Sequence, residues 1–183
     1  TPLSSNGFYQ YGATEWQDLE GSVNYALSNG AQHVVLVGYS MGGGIIASFL
    51  HNSSLAPHIS GIVYDAPMLD FGQTVDYGAE QRGYPQFTVV FGKAVSHHRF
   101  GIEWQKLNYL QYIEELEAPI LLFHGVFDER VPIETSDLLA DTRSDLVTYV
   151  RIEEENAPHN AAWNVNPSNY KRALREFFEK VAR

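Results

Sequence analysis

The sequence predicts an α/β fold in which a parallel sheet is flanked by helices. Short runs rich in β-branched residues alternate four times with amphipathic stretches along the 183 residues. Strands that alternate with helices form parallel sheets with right-handed crossovers. The run at 33–38 is apolar at every central position, as in a strand buried on both faces of such a sheet. The length fits one domain, which we assign to residues 1–183.

The helices are predicted from apolar periodicity and from terminal signals. The predicted helices cover 14–29, 41–51, 133–142 and a C-terminal stretch from 167 onward. Thr14 and Gln17 have the spacing of a capping box, and Gly30 follows the first helix as a stop. Asn166 and Pro167 are the residue types that favour the N-cap and the first helical position.

One long segment interrupts the alternation of strands and helices. The predicted strands cover 33–38, 59–64, 119–124 and 146–152. Residues 68–117 are instead rich in glycine and aromatic residues, with a helix expected around 104–116. A segment of roughly 50 residues is small for an independent core. We therefore interpret 68–117 as a cap inserted into the single domain.

Composition argues against several classes of protein. The net charge is −10, and residues 1–81 contain no Lys or Arg, so the chain offers no basic patch for a nucleic acid. No apolar run is long enough to span a bilayer. The absence of cysteine excludes disulfides, thiolate metal sites and a cysteine nucleophile. Residues 1–10 lack the charge and apolar core of a signal peptide, and we expect a cytoplasmic protein.

The strongest functional signal is the pentapeptide Gly38-Tyr39-Ser40-Met41-Gly42. It matches G-x-S-x-G and lies between a predicted strand and a predicted helix, where a serine is held in a strained turn above the sheet. Gly38 and Gly42 are expected because a Cβ at either position would collide with the neighbouring strand and helix. The N–H of Met41 at the helix start is placed to stabilise an oxyanion. The alternative is a glycine-rich turn in which Ser40 only caps the helix.

Together with two later motifs, the pentapeptide makes the chain resemble the C-terminal part of an α/β-hydrolase. The likeness is to the branch that includes Bem46-like and dipeptidyl-peptidase-like proteins, whose triad follows the order Ser, acid, His. Residues 124–132 match the acid pattern H-G-x-x-D-x-x-V-P, with Asp128 at the acid position. Residues 153–160 match the histidine loop, with His159 at the base position. The resemblance implies a catalytic triad of Ser40, Asp128 and His159, without metal or cofactor.

The chemistry of the residues agrees with this resemblance. A serine hydroxyl becomes a nucleophile when an imidazole takes its proton, and the imidazole needs a carboxylate on its far nitrogen. All three predicted residues follow the C-terminal ends of predicted strands, where open α/β sheets form their crevice. The sequence thus predicts a hydrolase of small-molecule esters or related acyl compounds. The alternative is a non-catalytic or incomplete module of the same fold.

Several neighbouring residues leave alternatives open. Asp65 also follows a strand and is a second candidate for the acid, whereas Glu129 is expected to point elsewhere. His124 lies inside a strand and is expected to form a local hydrogen bond that orients the acid loop. His97 and His98 lack a third ligand at suitable spacing for a metal, and we interpret them as surface residues of the cap.

The early part of the α/β-hydrolase fold is not found in the sequence. The family has several strands before the nucleophile and an early loop that supplies a second oxyanion N–H. Only 39 residues precede Ser40, so we expect a fragment that lacks the N-terminal strands of a larger hydrolase. The strand at 33–37 then has a free edge, and self-association through that edge is expected. Residues 4–12 are the first candidates for the second oxyanion donor.

Overall fold

Four parallel strands form the centre of the structure. The computed structural model describes residues 7–155 and 157–182 of the chain. The strands are β1 (Val34–Tyr39), β2 (Ile59–Asp65), β3 (Ile120–Gly125) and β4 (Val147–Ile152). They lie in the sheet in chain order, and every neighbouring pair is parallel. The carboxyl ends of all four strands therefore lie along one edge of the sheet.

Helices cover both faces of this sheet, which confirms the predicted fold class. The helices are α1 (Trp16–Ser28), α2 (Met41–Asn52), α3 (Phe71–Glu80), α4 (Gln86–Phe100), α5 (Glu134–Thr142), α6 (Ala162–Val165) and α7 (Pro167–Val181). One core contains Leu36 and Ile62 of the sheet and is covered by α1, α2 and α5. The other contains Val63 and Phe123 and is covered by α6 and α7. Within the described residues, no helix is long and apolar enough to cross a membrane.

Two of the predicted helix ends are confirmed. After α1, Gly30 adopts a left-handed conformation with φ 90°, and its N–H donates to the carbonyl of Leu27 at 3.1 Å. At the start of α7, the side chain of Asn166 accepts a hydrogen bond from the N–H of Asn169 at 3.0 Å, and Pro167 is the first helical residue. Glycine favours the left-handed position just after a helix, and asparagine favours the N-cap.

The capping box predicted at Thr14 and Gln17 is wrong. Glu15 is the N-cap of α1, and its side chain does not cap the helix. Its buried carboxylate instead accepts hydrogen bonds from the N–H groups of Gln10 at 2.6 Å and Gly12 at 2.9 Å. The acid thus holds the segment before α1 against the body of the chain, a task that local spacing could not reveal.

The segment 68–117 contains more helix than the sequence predicted. It forms α3 and α4 and two 3₁₀ helices, Trp104–Leu107 and Tyr109–Glu115. The helix expected around 104–116 is present, in the form of these two 3₁₀ helices. Gly72, Gly78 and Gly92 lie inside α3 and α4, and their low helix propensity hid both helices in the sequence. That this segment acts as a cap stays a prediction.

The strand β1 forms one edge of the sheet. Within 7–155 and 157–182 it pairs only with β2. Val37 is 49% exposed and Tyr39 is 48% exposed, and the two side chains share one face of the strand. Lys and Pro, the usual residues that protect an edge, do not occur in β1. The unpaired backbone and the apolar side chains together form a surface suited to a further strand.

We expect the chain to self-associate through β1, so that light scattering gives a mass above the monomer's 20.6 kDa. A lysine on an edge strand opposes such pairing because its charge must stay in water. Val37→Lys should therefore shift the chain toward the monomer. Thr148→Lys places the same charge on the opposite edge strand, β4, and should leave the mass unchanged. A wild-type chain that stays monomeric at all concentrations would contradict the expectation.

Candidate active site

Ser40 lies in a strained turn between β1 and α2. Its φ of 49° and ψ of −118° are unusual for a residue with a side chain, and such a conformation costs on the order of 1–3 kcal/mol. The backbone holds it in place: its N–H donates to the carbonyl of Asp65, and its carbonyl accepts from the N–H groups of Gly43 and Met68. The Ser40 side chain does not cap α2. The hydroxyl is thus not consumed by the role that the alternative interpretation gave it.

The glycines around Ser40 have different functions from those predicted. A Cβ on Gly38 would lie 2.9 Å from the backbone of Gly42, as expected for a close approach of strand and helix. A Cβ on Gly42 itself would meet nothing within 4 Å, so the steric reason given for that glycine is wrong. The close contact is one residue later, where a Cβ on Gly43 would lie 2.4 Å from Cβ of Pro67. On Gly44 it would lie 2.9 Å from a backbone oxygen.

Asp128 and His159 are brought together by the loops that follow β3 and β4. The Nδ1 atom of His159 lies 2.7 Å from Oδ2 of Asp128. The Asp128 side chain is 1% exposed and that of His159 is 9% exposed. Because Nδ1 faces a carboxylate it carries the ring proton, which leaves the lone pair of Nε2 as an acceptor. Glu129, the neighbouring acid, is exposed to solvent.

The Asp128 carboxylate is surrounded by hydrogen-bond donors. Its Oδ1 accepts from the N–H groups of Arg130 at 2.8 Å and Val131 at 3.0 Å. Burial alone would raise the pKa of Asp128, but hydrogen bonds from His124, His159 and the two N–H groups outweigh burial. They hold the pKa of this carboxyl well below its ordinary value, so it is ionised at neutral pH.

His124 supports the acid loop from inside the core, as the sequence predicted. It is fully buried, and its Nε2 lies 3.3 Å from both Oδ2 of Asp128 and the carbonyl of Val131. Two acceptors on that side place the proton on Nε2, so Nδ1 accepts from the hydroxyl of Ser136 at 2.7 Å. Ser136 could not be predicted from the sequence, because a serine early in a helix carries no signal of a buried contact.

Tyr77 of α3 also binds the acid loop. Its hydroxyl donates to the backbone carbonyl of Asp128 at 2.9 Å. The contact joins residues 51 positions apart, so no local pattern could predict it. Through it, the segment between β2 and β3 touches the loop that carries the acid.

Asp65, the alternative acid, lies at the carboxyl end of β2 and is not the partner of His159. It is 3% exposed, and its Oδ2 has no hydrogen-bond partner within the described part of the chain. Burial raises the pKa of Asp65 to about 6, although His124, His159 and Tyr170 oppose the shift. The sheet edge thus holds one carboxyl that ionises readily and one that resists ionisation.

Asp65→Asn should make stability less dependent on pH. Since burial raises the folded-state pKa of Asp65 from 3.8 to about 6, its stabilising contribution is present below pH 3.8 and is lost as the pH rises through 6. Asparagine does not titrate, so above pH 6 the variant should exceed the wild type in free energy of unfolding, by up to ~3 kcal/mol. Urea unfolding between pH 4 and 8 measures this. Asp18→Asn, at an exposed acid, is the control, and a constant difference across the range would contradict the expectation.

The predicted oxyanion donor Met41 is the first residue of α2. An N–H at this position has no intrahelical acceptor and lies at the positive end of the helix dipole. The second donor was expected within 4–12. Residues 4–6 lie outside the described residues, and the N–H groups of Gln10 and Gly12 are bound by Glu15 and are not available.

His97, the first residue of the histidine pair in α4, makes a local contact. Nδ1 of His97 lies 2.9 Å from the carbonyl of Ile102, just after the helix end. Within the residues that the structure describes, no three metal-ligating side chains are grouped closely enough to hold an ion.

Solved structures resemble this fold closely, although sequence comparison finds nothing. No family model matches the chain, and no curated protein is significantly similar to it. An esterase of Pyrococcus furiosus superposes with a TM-score of 0.67 at 21% identity, over 94% of this chain and 64% of the esterase. An acylaminoacyl peptidase of Pyrococcus horikoshii gives 0.68 at 20% identity, over 92% of this chain and 28% of the peptidase. An esterase of Thermogutta terrifontis gives a TM-score of 0.59 at 19% identity, over 92% of this chain and 72% of the esterase.

These neighbours define the class of fold. They are members of the α/β-hydrolase superfamily, and the chain has the α/β-hydrolase fold over the part that it spans. It spans somewhat less than two thirds of the P. furiosus esterase and just over a quarter of the peptidase. The predicted Bem46-like or dipeptidyl-peptidase-like branch stays a prediction.

Proposed function

We propose that the chain is a serine hydrolase that acts on carboxylic esters or related acyl bonds through Ser40, His159 and Asp128. The observation that carries this proposal is the hydrogen bond between His159 and Asp128, formed at the same sheet edge as the strained Ser40 turn. The superposed esterases and peptidases support the same reaction class, because all are named for cleaving acyl bonds.

The geometry suits nucleophilic catalysis in two stages. Nε2 of His159 takes the hydroxyl proton while Oγ of Ser40 bonds to the carbonyl carbon, and Asp128 stabilises the imidazolium. The N–H of Met41 binds the negative oxygen of the tetrahedral intermediate. His159 then returns the proton to the departing alcohol as the ester bond breaks. A water molecule, deprotonated by His159, cleaves the acyl-enzyme and restores the free serine.

Two observations are compatible with the alternative of a non-catalytic module. Within the described residues no hydrogen bond joins Ser40 to His159, and the second oxyanion donor is unassigned. The first is common before substrate binds, because catalytic hydrogen bonds tighten in the complex. A missing second oxyanion donor would slow turnover by about 10²–10³-fold but would not prevent attack by Ser40.

Covalent labelling with a fluorophosphonate tests the proposal. The probe should attach to Ser40 of the wild-type chain, and mass spectrometry of the labelled peptide should locate it there. Ser40→Ala should lose the label, while Ser22→Ala, which removes an exposed hydroxyl from α1, should keep it. Equal labelling of the Ser40→Ala chain would exclude Ser40 as the nucleophile. A wild-type chain that takes no label would favour the non-catalytic module.

A further inference from the structure

An open apolar cleft of about 570 Å³ lies between α3 and α4. It is lined by Phe71, Val75 and Ala79 of α3, by Val89 and Gly92 of α4, and by Trp104, among others. The volume falls in the range of small-molecule sites. We propose that this cleft binds an uncharged aromatic or alkyl acyl group of the substrate, an inference that rests on the proposed function.

The wall of the cleft is preformed by stacked rings. Tyr11 stacks on Phe71 with ring centroids 3.9 Å apart, and Phe71 stacks on Trp104 at 5.3 Å, both nearly parallel. The indole N–H of Trp104 donates to the carbonyl of Lys93 at 3.0 Å and so fixes the ring to α4. A rigid apolar wall binds an apolar group without first having to be ordered.

The charge of the cleft favours an uncharged ligand. Among the described residues that line it, Lys93 is the only charged one. Its ammonium group already donates to Asp76 at 2.7 Å and to the carbonyl of Gly72 at 2.8 Å, and it lies 5.4 Å from the ring centre of Trp104. Because Asp76 already compensates the charge of Lys93, the cleft offers a carboxylate no unpaired cation.

The cleft is connected to the Ser40 turn through two of its lining residues. Phe71 follows Met68 by three positions, and the N–H of Met68 donates to the carbonyl of Ser40 at 2.9 Å. Tyr11 precedes Gly12, where a Cβ would lie only 3.2 Å from the backbone of Gly44 in the first turn of α2. The segments that carry Tyr11 and Phe71 thus contact the Ser40 turn or the first turn of α2.

A second cavity of similar volume does not share this position. It measures about 530 Å³ and is lined by Ile59 and Pro119, among others. Ile59 begins β2 and Pro119 directly precedes β3, so this cavity lies at the amino ends of the strands. Ser40 follows the carboxyl end of β1, at the opposite edge. The 530 Å³ cavity and the Ser40 turn therefore lie at opposite edges of the sheet.

Gly92→Leu is the sharpest test of the cleft. A Cβ on Gly92 would meet nothing within 4 Å, so a side chain can start at this position without a clash. Filling the cleft should lower kcat/KM for p-nitrophenyl hexanoate by about tenfold or more, with p-nitrophenyl acetate within about twofold of wild type. Ala94→Leu adds a leucine to the same helix at an exposed position that does not line the cleft. It should leave kcat/KM unchanged for both esters. Equal losses on both esters would overturn the proposal, as would preference for an acyl chain that ends in a carboxylate.

A binding experiment separates failure of the cleft from failure of the proposed chemistry. In Ser40→Ala protein, saturation-transfer NMR should detect the uncharged ketone 4-phenyl-2-butanone. The signal should disappear in Ser40→Ala/Gly92→Leu and persist in Ser40→Ala/Ala94→Leu. This result would support binding of an uncharged apolar group in the cleft even if the wild-type chain hydrolysed no ester. If the ketone did not bind to Ser40→Ala, or bound equally to all three chains, the proposal for the cleft would be overturned. That conclusion would hold even if the fluorophosphonate labelled Ser40.

Discussion

Asp128→Asn should lower ester turnover by roughly 10⁴-fold, the loss expected when the imidazole of a triad is held in the wrong tautomer. The carboxylate faces Nδ1 of His159 at 2.7 Å and fixes the ring proton there. An amide can instead donate to Nδ1, which moves the proton to Nε2 and removes the base. His159→Ala should cause a loss of similar size, because triad residues act as a unit. Turnover of p-nitrophenyl acetate at pH 8 measures both.

Asp65→Asn is the matched control, since it changes a second buried acid at the same sheet edge. It should leave turnover nearly unchanged, because His159 does not bond to Asp65. Circular dichroism and urea unfolding of each variant separate loss of the base from loss of the fold. If Asp65→Asn were the more damaging change, the acid would be Asp65 and the assignment of Asp128 would be wrong.

Gly43→Ala should destabilise the chain by ~3 kcal/mol, the upper part of the range for overpacking. The new Cβ would lie 2.4 Å from Cβ and 2.8 Å from Cα of Pro67, and a proline ring cannot rotate away. Gly42→Ala adds the same methyl group one residue earlier, where nothing lies within 4 Å. There alanine should stabilise α2 by about 0.5–1 kcal/mol through its higher helix propensity. Urea unfolding of the two variants gives the comparison.

The comparison of Gly42→Ala with Gly43→Ala also tests whether the contact with Pro67 limits side-chain size in the turn. If Gly42→Ala were the more destabilising change, the contact between the turn and Pro67 would not be the one that limits side-chain size. If both were neutral, the turn would be able to shift, and the strain at Ser40 would not be maintained by its surroundings.

The components of the candidate site were predicted from the G-x-S-x-G motif and from the resemblance to α/β-hydrolases, and each of them follows the end of a strand. Ser40, Asp128 and His159 each come after a short apolar run, and parallel strands place such ends along one edge. The ends of α1 and α7 were predictable for the same reason, since Gly30 and Asn166 act on their immediate neighbours. Local residue types were enough wherever the structure depends on local geometry.

The remainder depends on contacts between distant segments. The hydrogen bond from Ser136 to His124 and the close approach of Gly43 to Pro67 are set by how elements pack. Glu15 was expected to lie within a capped helix, but it binds the preceding segment instead. The helices α3 and α4 were missed because glycines and apolar residues on more than one face obscure their periodicity.

The hydrogen bond from Tyr77 to the acid loop has a consequence for how such a protein can be re-engineered. The same helix, α3, lines the cleft with Val75 and Ala79 and holds the backbone of Asp128 with Tyr77. Exchanging the whole 68–117 segment for the corresponding segment of another protein with this fold would therefore remove the hydrogen bond from Tyr77 to Asp128 together with the cleft. Recombination in the laboratory has to keep a hydroxyl at this place or vary only the residues that face the cleft. The shape of the cleft and the placement of the Asp128 loop are therefore coupled through α3.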